Sequence, residues 1–260
     1  MIQTIRKAWG VPELRKKIIF TALILLIFRI GNAIPVPYVD TALLADYINQ
    51  LSTTVLGLYN VMSGGAFAEA TVFALGVQPY INSSIIIQLL TIAIPALERM
   101  ARDGGEEGKK KIQSITRYAT VAIALLQGFG YYSLIKSYGL IESSSLNGVW
   151  VALVIVLSFT AGSAFLMWLG EQITEFGVGN GISIILFAGI VSRFPRMISD
   201  CVSGVTIWSA VKNGTMTEET LTAAGYSATQ AKAQLSMALA PWMIPVIVIG
   251  MLALVVFIVF

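Results

Sequence analysis

Few residues of this chain have the types and spacing that catalysis requires. Its 260 residues include no histidine and a single cysteine, Cys201. A Ser-His-Asp arrangement, an HExxH zinc motif and a Cys/His metal cage are therefore excluded. Glu171 and Glu175 lie one helical turn apart and resemble a carboxylate pair, but two solvated cytoplasmic acids at a helix end are the commoner explanation. We predict that the protein is not an enzyme and binds no metal or other cofactor.

The glycine-rich run from Gly177 to Gly181 resembles a loop that binds phosphate. No strand is predicted before it and no Lys-Ser/Thr pair follows it, so the run gives little support for nucleotide binding. Asn180 precedes an apolar stretch, and asparagine in that position is typical of a helix N-cap. We predict a tight loop in which Asn180 caps the next helix.

The stretch 63–97 combines an apolar composition with residues that break helices, including Pro79 in its middle. Its polar side chains would lie at membrane depth: Asn82, Ser83, Ser84 and Gln88. Polar groups without partners are costly in hydrocarbon, so such a stretch lies within protein or beside a water-filled cavity. A broken helix with polar faces indicates the lining of a channel or transporter. A kinked bundle helix whose amides bond to its neighbours is the alternative.

Two aliphatic pairs have the spacing of one helix face: Val77 with Ile81, and Ile182 with Leu186. Packing against lipid or within a core is the commoner role of such pairs. A collar of aliphatic side chains also closes a watery pore by dewetting. Spacing alone does not choose between these two roles.

The composition is that of a protein with several membrane spans. Hydrophobic residues make up 56% and charged residues 12% of the chain, the mean hydropathy is +0.79, and the net charge is only +3. So small a charge gives little support for nucleic-acid binding. The apolar runs predict six spans: Ile18–Ile34, the broken span within 63–97, Ile115–Leu134, Val149–Leu169, Ile182–Ile198 and Leu239–Phe260.

The segments between these spans predict the orientation in the membrane. Residues 1–17 form a basic amphipathic segment, 98–117 a basic loop, and 199–238 a polar external segment that is partly helical. Since Lys and Arg concentrate before the first span and between the second and third, we expect a cytoplasmic N-terminus. Arg29 lies roughly 16 Å from Ile18 along the first span, near the bilayer centre, and must face protein or water, or snorkel outward. The last span, 239–260, stops without a cytoplasmic tail, as if truncated.

Five strings of this sequence closely resemble the SecY family, the channel subunits of the bacterial protein translocase. They are FRIGNAIPVP (28–37), MSGGAF (62–67), FALGVQPYINSSIIIQLL (73–90), EGKKKIQSITRY (107–118) and FLMWLGEQITEFGVGNGISIILFAGIV (165–191). The resemblance implies an all-α polytopic membrane protein of ten spans in two inverted five-span halves. This chain would supply the first half, residues 18–198, and the sixth span, 239–260, and we expect it to be a fragment.

The resemblance also implies roles for residues at matching positions. The plug, a short re-entrant segment, would comprise Asn60, Val61, Met62, Ser63, Gly64, Gly65, Ala66, Phe67, Ala68, Glu69 and Ala70. The pore ring would comprise Val77, Ile81, Ile182 and Leu186, and the lateral gate Asn82 and Gln127. Two positions depart from the family pattern. Tyr38 stands where glycine usually follows IPVP, and Gln78 places an amide beside the ring where an apolar residue is usual.

The function implied is protein conduction across the bacterial cytoplasmic (inner) membrane. Unfolded secretory polypeptides would pass through the ring, and apolar segments would leave sideways into the lipid bilayer. The implied partners are SecE, SecG, SecA, the ribosome and the secretory and membrane protein precursors, without direct recognition of nucleic acid. On physics alone, a secondary transporter for a small solute is the alternative, with a site around Asn82, Gln88 and Arg29. A membrane scaffold or chaperone without a pore is the third hypothesis.

Overall fold

The computed structural model describes residues 11–51, 54–102, 104–141, 148–213 and 216–217, and positions 242, 243, 245, 246 and 249. The chain divides into two compact units, Met1–Ser192 and Arg193–Phe260. Regular structure among the described residues is helical, apart from two isolated β-bridges. The predicted all-α class of a polytopic membrane protein is confirmed.

Eight helices of the first unit are described. They are α1 (Pro12–Gly31), α2 (Thr41–Gln50), α3 (Val55–Met62), α4 (Gln78–Ala93), α5 (Pro95–Arg102), α6 (Gly105–Ser137), α7 (Gly148–Phe176) and α8 (Gly181–Val191). Helices α6 and α7 are each long and apolar enough to cross a membrane, and α4 with α5 passes the same test as one bent span. Helix α8 is apolar but has only 11 residues.

The second unit is described mainly through α9 (Phe194–Lys212), in which Lys212 Nζ lies 5.0 Å from the centroid of the Trp208 ring. Its helical residues cover the start of the segment 199–238, which agrees with the predicted partly helical character. The predicted sixth span, 239–260, falls almost entirely outside the described residues, as do residues 1–10.

The irregular backbone predicted for 63–97 is confirmed, but the role given to Pro79 is wrong. Pro79 does not interrupt a helix, because α4 begins at Gln78 and holds the proline in its first turn. There the missing N–H costs no hydrogen bond, since the first N–H groups of a helix have no partner within it. Residues 63–77 run through turns, and a second break at Ile94 bends α5 by 101° from α4.

The helix bounds differ from three predicted boundaries. The loop 98–117 is mostly helical, because α5 extends to Arg102 and α6 begins at Gly105. The fifth span was expected to reach Ile198, but α8 ends at Val191. The first span was expected to begin at Ile18, whereas α1 begins at Pro12 and joins the basic residues before Ile18 to the apolar run.

Two buried apolar clusters hold the first unit together. The first cluster joins α2, the turns after α3, α6 and α7, and its fully buried members include Leu44, Ile48, Ile135, Ile155 and Phe159. The second cluster joins α1, α4, α7 and α8 and includes Ile24, Phe28, Leu166, Ile173 and Ile185. Where these helices lie in a bilayer, such side chains stabilise the packing through van der Waals contacts.

Tyr38 adopts a left-handed backbone conformation, with φ +69°. A non-glycine residue there costs roughly 1–2 kcal/mol, because its Cβ approaches the following carbonyl oxygen. The resemblance implies glycine at this position, and glycine would adopt this conformation without that cost. In this chain the Tyr38 side chain packs against the first cluster, and this contact offsets part of the strain.

The connection after Tyr38 is fixed to the end of α6. Asp40 Oδ1 accepts hydrogen bonds from the N–H groups of Ala42 and Leu43, both at 3.1 Å, and so caps α2. A hydrogen bond with Tyr138, which caps α6, raises the pKa of Tyr47 to about 12. The two phenol rings lie with their centroids 4.0 Å apart.

Arg29 lies exposed in the last turn of α1, where a positive charge interacts favourably with the helix dipole. Within the described residues it makes no ion pair. Its place near a helix end, rather than in the middle of one, suits the snorkelling that the sequence suggests.

Candidate functional site: a plug segment, an aliphatic cluster and a polar cleft

The segment predicted to be the plug, residues 60–70, is called the plug segment here and comprises the end of α3 and the turns that follow. Hydrogen bonds within the segment fold it back on itself. Asn60 Oδ1 accepts from the Ala68 N–H at 3.0 Å, and the Asn60 carbonyl accepts from the Gly65 N–H at 2.9 Å. Ser63 Oγ accepts from the Phe67 N–H at 3.0 Å. Asn60 and Ser63 are both buried, so these bonds replace water at polar groups that would otherwise be unsatisfied.

The last third of the plug segment belongs to the first core cluster. The Tyr131 hydroxyl donates to the Phe67 carbonyl, and the two rings stack with centroids 4.5 Å apart. The Val36 N–H donates to the Ala70 carbonyl at 2.9 Å, and Ala70 is fully buried. Residues 66–70 are therefore anchored to α6 and to the chain that leaves α1.

The first part of the plug segment touches α4 and α8 instead. Gly64 has φ +71°, and a Cβ there would lie 2.8 Å from the Gly189 carbonyl oxygen and 2.8 Å from Ser192 Oγ. A Cβ on Gly189 would lie 2.9 Å from the Met62 carbonyl oxygen. On the other side, Gln78 Nε2 donates to Met62 Sδ at 3.1 Å. Residues 62–64 are thus held between the end of α8 and the start of α4.

An open polar cleft of about 920 Å³ lies among α4, α6, α7 and α8. Arg117 and Glu171 line the cleft and form an ion pair. Arg117 Nη2 lies 2.9 Å from Glu171 Oε2, and Arg117 Nε donates to Glu171 Oε1 at 3.0 Å. Gln113 Nε2 donates to the same Oε1 at 3.1 Å. Since only 11% of the Glu171 side chain is exposed, the expectation of a solvated acid is wrong for this residue. Glu175 is exposed, as expected.

The aliphatic pairs of α4 and α8 meet in the second apolar cluster. Val77 is buried, and Ile81, Ile182 and Leu186 are half-buried against the same cluster. The structure therefore brings together the four residues that the sequence grouped by spacing and resemblance.

The position of these four residues follows from the two helices that carry them. Along α4, Gln78 contacts the plug segment and Ile81 lines the cleft. Along α8, which runs the opposite way, Ile182 lines the cleft and Gly189 contacts the plug segment. The aliphatic side chains therefore lie between the polar cleft and the plug segment.

The two residues assigned to a lateral gate lie on neighbouring helices, Asn82 on α4 and Gln127 on α6. Both are half-buried, and no hydrogen bond joins their amides within the described residues. Gln127 Oε1 is buried without a partner, and Gln127 lines a cavity of about 180 Å³. Tyr59, Phe67 and Tyr131 also line this cavity, so the Gln127 amide lies next to the anchored end of the plug segment.

The loop before α8 follows the prediction made for it. Asn180 Oδ1 accepts from the N–H groups of Ile182 and Ser183 at 3.0 and 3.2 Å, so the predicted N-cap is confirmed. Sequence reasoning missed the ion pair of Arg117 with Glu171, because 54 residues separate the partners and no local spacing relates them. It also missed the contact between Gln78 and Met62. Among the residues that the structure describes, no group of His, Cys, Asp and Glu side chains is placed to hold a metal ion.

Comparisons with known proteins identify related chains. The SecY family model matches residues 71–260. The chain is 43% identical to the protein translocase subunit SecY of Escherichia coli strain K12 over 194 residues, which cover 74% of this chain and 44% of that protein. It is 39% identical to the SecY subunit of Aquifex aeolicus over 220 residues, or 82% of this chain and 49% of that protein. The chain thus spans about half the length of the curated relatives it matches.

Two solved structures share the fold. A protein conducting channel matches with a TM-score of 0.50 at 17% identity, over 81% of this chain and 46% of that one. Sec61 in the canine ribosome-channel complex from the endoplasmic reticulum matches with the same TM-score, identity and coverage. Because the family model covers most of the chain and its relatives are about 40% identical, the chain belongs to the SecY family.

Proposed function

We propose that this chain forms part of a protein-conducting channel through which unfolded secretory polypeptides cross the membrane. The observation that carries the proposal is the placement of Val77, Ile81, Ile182 and Leu186 between a polar cleft and a folded-back plug segment. Water enters one side of such an arrangement, and the aliphatic side chains and the plug close it. The curated relatives are named translocase subunits, which supports the same role.

Aliphatic side chains suit a passage for polypeptides of any sequence. They adapt to side chains of different shape and form few polar contacts that would hold a substrate in place. The described residues offer no nucleotide site, so we propose that the driving force comes from SecA or the ribosome. SecE and SecG would complete the assembly.

The charges favour one orientation. Lys110 and Arg117 line the cleft, and basic residues favour the cytoplasmic side. We propose that the cleft faces the cytoplasm and the plug segment the outside, in the inner membrane of a bacterium, with the N-terminus in the cytoplasm. Asn82 and Gln127 would border the lateral gate, through which apolar segments move into lipid.

The transporter hypothesis gains no support from the geometry. Its proposed site combined Asn82, Gln88 and Arg29, but Gln88 and Arg29 are exposed and Asn82 is only half-buried. None of the three lines the polar cleft or the cavity beside Gln127. A solute site needs convergent polar groups in a concave pocket, and these residues do not provide one.

Site-specific photocrosslinking tests the proposed function. A photoreactive amino acid is placed at Ile81 or Leu186, and a secretory precursor is stalled during translocation in membrane vesicles that carry the protein and its partners. We expect adducts at both positions. Phe187, which neighbours Leu186 but is 67% exposed on another face of α8, serves as the matched control and should yield few adducts. Equal labelling at all three positions, or none at Ile81 and Leu186, would contradict a passage along the aliphatic cluster.

A further inference from the structure

We propose that Gln78 is a positioning residue that fastens the plug segment to α4 through Met62, a role that rests on the channel function proposed above. The Gln78 side chain leaves the first turn of α4 and donates a hydrogen bond to Met62 Sδ at 3.1 Å. Its neighbours on either side are Val77, from the aliphatic cluster, and Pro79. The amide therefore lies where the aliphatic cluster meets the plug segment.

The surroundings of this hydrogen bond make its contribution to stability larger than a thioether acceptor would suggest. A thioether sulfur is a weak acceptor, and in water its bond to an amide would contribute little. Gln78 is half-buried beside an apolar cluster, where an amide N–H without a partner carries a desolvation penalty. Displacing Met62 removes the acceptor from that N–H, so the docked position of the plug segment is the one in which Gln78 Nε2 donates a hydrogen bond.

Residues 62–64 are held by two contacts, and the contact between Gln78 and Met62 is the polar one. On the α8 side, the plug segment is held by the close fit of Gly64 against Gly189 and Ser192, which depends on shape. On the α4 side, Gln78 and Met62 form the one side-chain hydrogen bond between α4 and residues 60–65 in the described structure. An apolar side chain at position 78 would keep the volume of the contact and lose this bond. Release of residues 62–64 should therefore be easier without Gln78.

Hydrogen–deuterium exchange over residues 60–70, with the full chain and its partners in lipid nanodiscs, tests the role directly. We expect Gln78→Met to speed exchange of residues 62–65 about threefold to tenfold, the range for loss of one modest hydrogen bond. Adding Met62→Gln to that variant restores an amide–sulfur pair with its partners exchanged, and exchange should return towards the original rate. Gln88→Met, which removes an exposed amide of the same helix, is the matched control and should change nothing over this segment.

The outcomes separate the fastening from the channel function. Unchanged exchange in Gln78→Met, or faster exchange that Met62→Gln does not reverse, would overturn the role of Gln78 even if crosslinking at Ile81 and Leu186 succeeds. Faster exchange that is reversed by the swap, together with failed crosslinking, would keep the fastening and remove the channel function. A rise in resting ion conductance in Gln78→Met, reversed by the swap, would support both.

Discussion

The plug segment and the polar cleft border the same aliphatic cluster, yet different forces build them. The plug segment depends on buried hydrogen bonds, on the fit of Gly64 against Gly189, and on Phe67 in the core. The cleft depends on charged and amide side chains that remain open to solvent on one side. Substitutions that alter volume should therefore disturb the plug segment most, and substitutions that alter charge should act mainly on the cleft.

This difference also bears on how the plug segment can be probed. Deleting residues 60–70 would raise ion leak if the segment is a stopper. It would also remove Phe67, Ala68 and Ala70 from the first core cluster. Part of any effect would then come from lost stability. Point changes at the contacts with α4 and α8 would test the proposed sealing role with less loss of stability.

The largest effect should come from Gly64→Ala. The new Cβ would meet the backbone at Gly189, and φ +71° is itself unfavourable for alanine. We expect at least about 2 kcal/mol of weakened plug docking, from the left-handed strain together with the displaced backbone. It would appear as faster hydrogen exchange over 60–65 and as higher resting conductance. Gly130→Ala, in a helical position with open space around it, should be neutral or stabilising. Equal behaviour of the two variants would contradict the close fit.

A smaller effect is expected in the cleft from Glu171→Gln. The change removes the ion pair with Arg117, whose side chain is 47% exposed, so solvent screens much of the loss. We expect a loss of about 1 kcal/mol in the free energy of unfolding, measured in detergent, and a weaker salt dependence of stability. Glu175→Gln removes an exposed acid of the same cleft and should change stability by less than about 0.5 kcal/mol. A Glu171 variant as mild as the Glu175 control would show that the ion pair contributes nothing.

The smallest effect should follow the loss of the cap at the cleft end of α8. Asn180→Ala leaves the N–H groups of Ile182 and Ser183 without their side-chain acceptor, at a cost of about 0.5–1 kcal/mol for an exposed cap. Asn180→Asp keeps the acceptor and should retain most of the stability. Exchange at the first amides of α8 measures the difference. If Asp and Ala behave alike, the cap does not stabilise α8.

Sequence reasoning succeeded where the physical cause was local. The Asn180 cap, the irregular backbone of 63–77 and the aliphatic pairs all depend on neighbours within a few residues. It failed where partners are distant in the sequence. Glu171 was read as a solvated acid because its partner, Arg117, lies on another helix. The sequence predicts that Pro79 breaks a helix. Proline is also common in the first turn of a helix, and in this structure Pro79 lies in the first turn of α4.

Residue spacing predicts the aliphatic pairs, whereas resemblance to a family predicts the lateral gate. Spacing paired Val77 with Ile81 and Ile182 with Leu186 but left two roles open. Only the packed structure places those pairs beside one another. The lateral gate stays a prediction. Its two residues are an Asn82 that is half-buried and a Gln127 whose buried oxygen has no hydrogen-bond partner.

The anchoring of Phe67 by Tyr131 limits how far Gly64 can move. Gly64 lies three residues before that anchor, and a fully extended chain spans at most about 3.5 Å per residue. While the anchor holds, Gly64 stays within roughly 10 Å of it. Under the channel function proposed above, any displacement of residues 62–64 would therefore be a short swing about Phe67, and the rest of the segment would stay in the core.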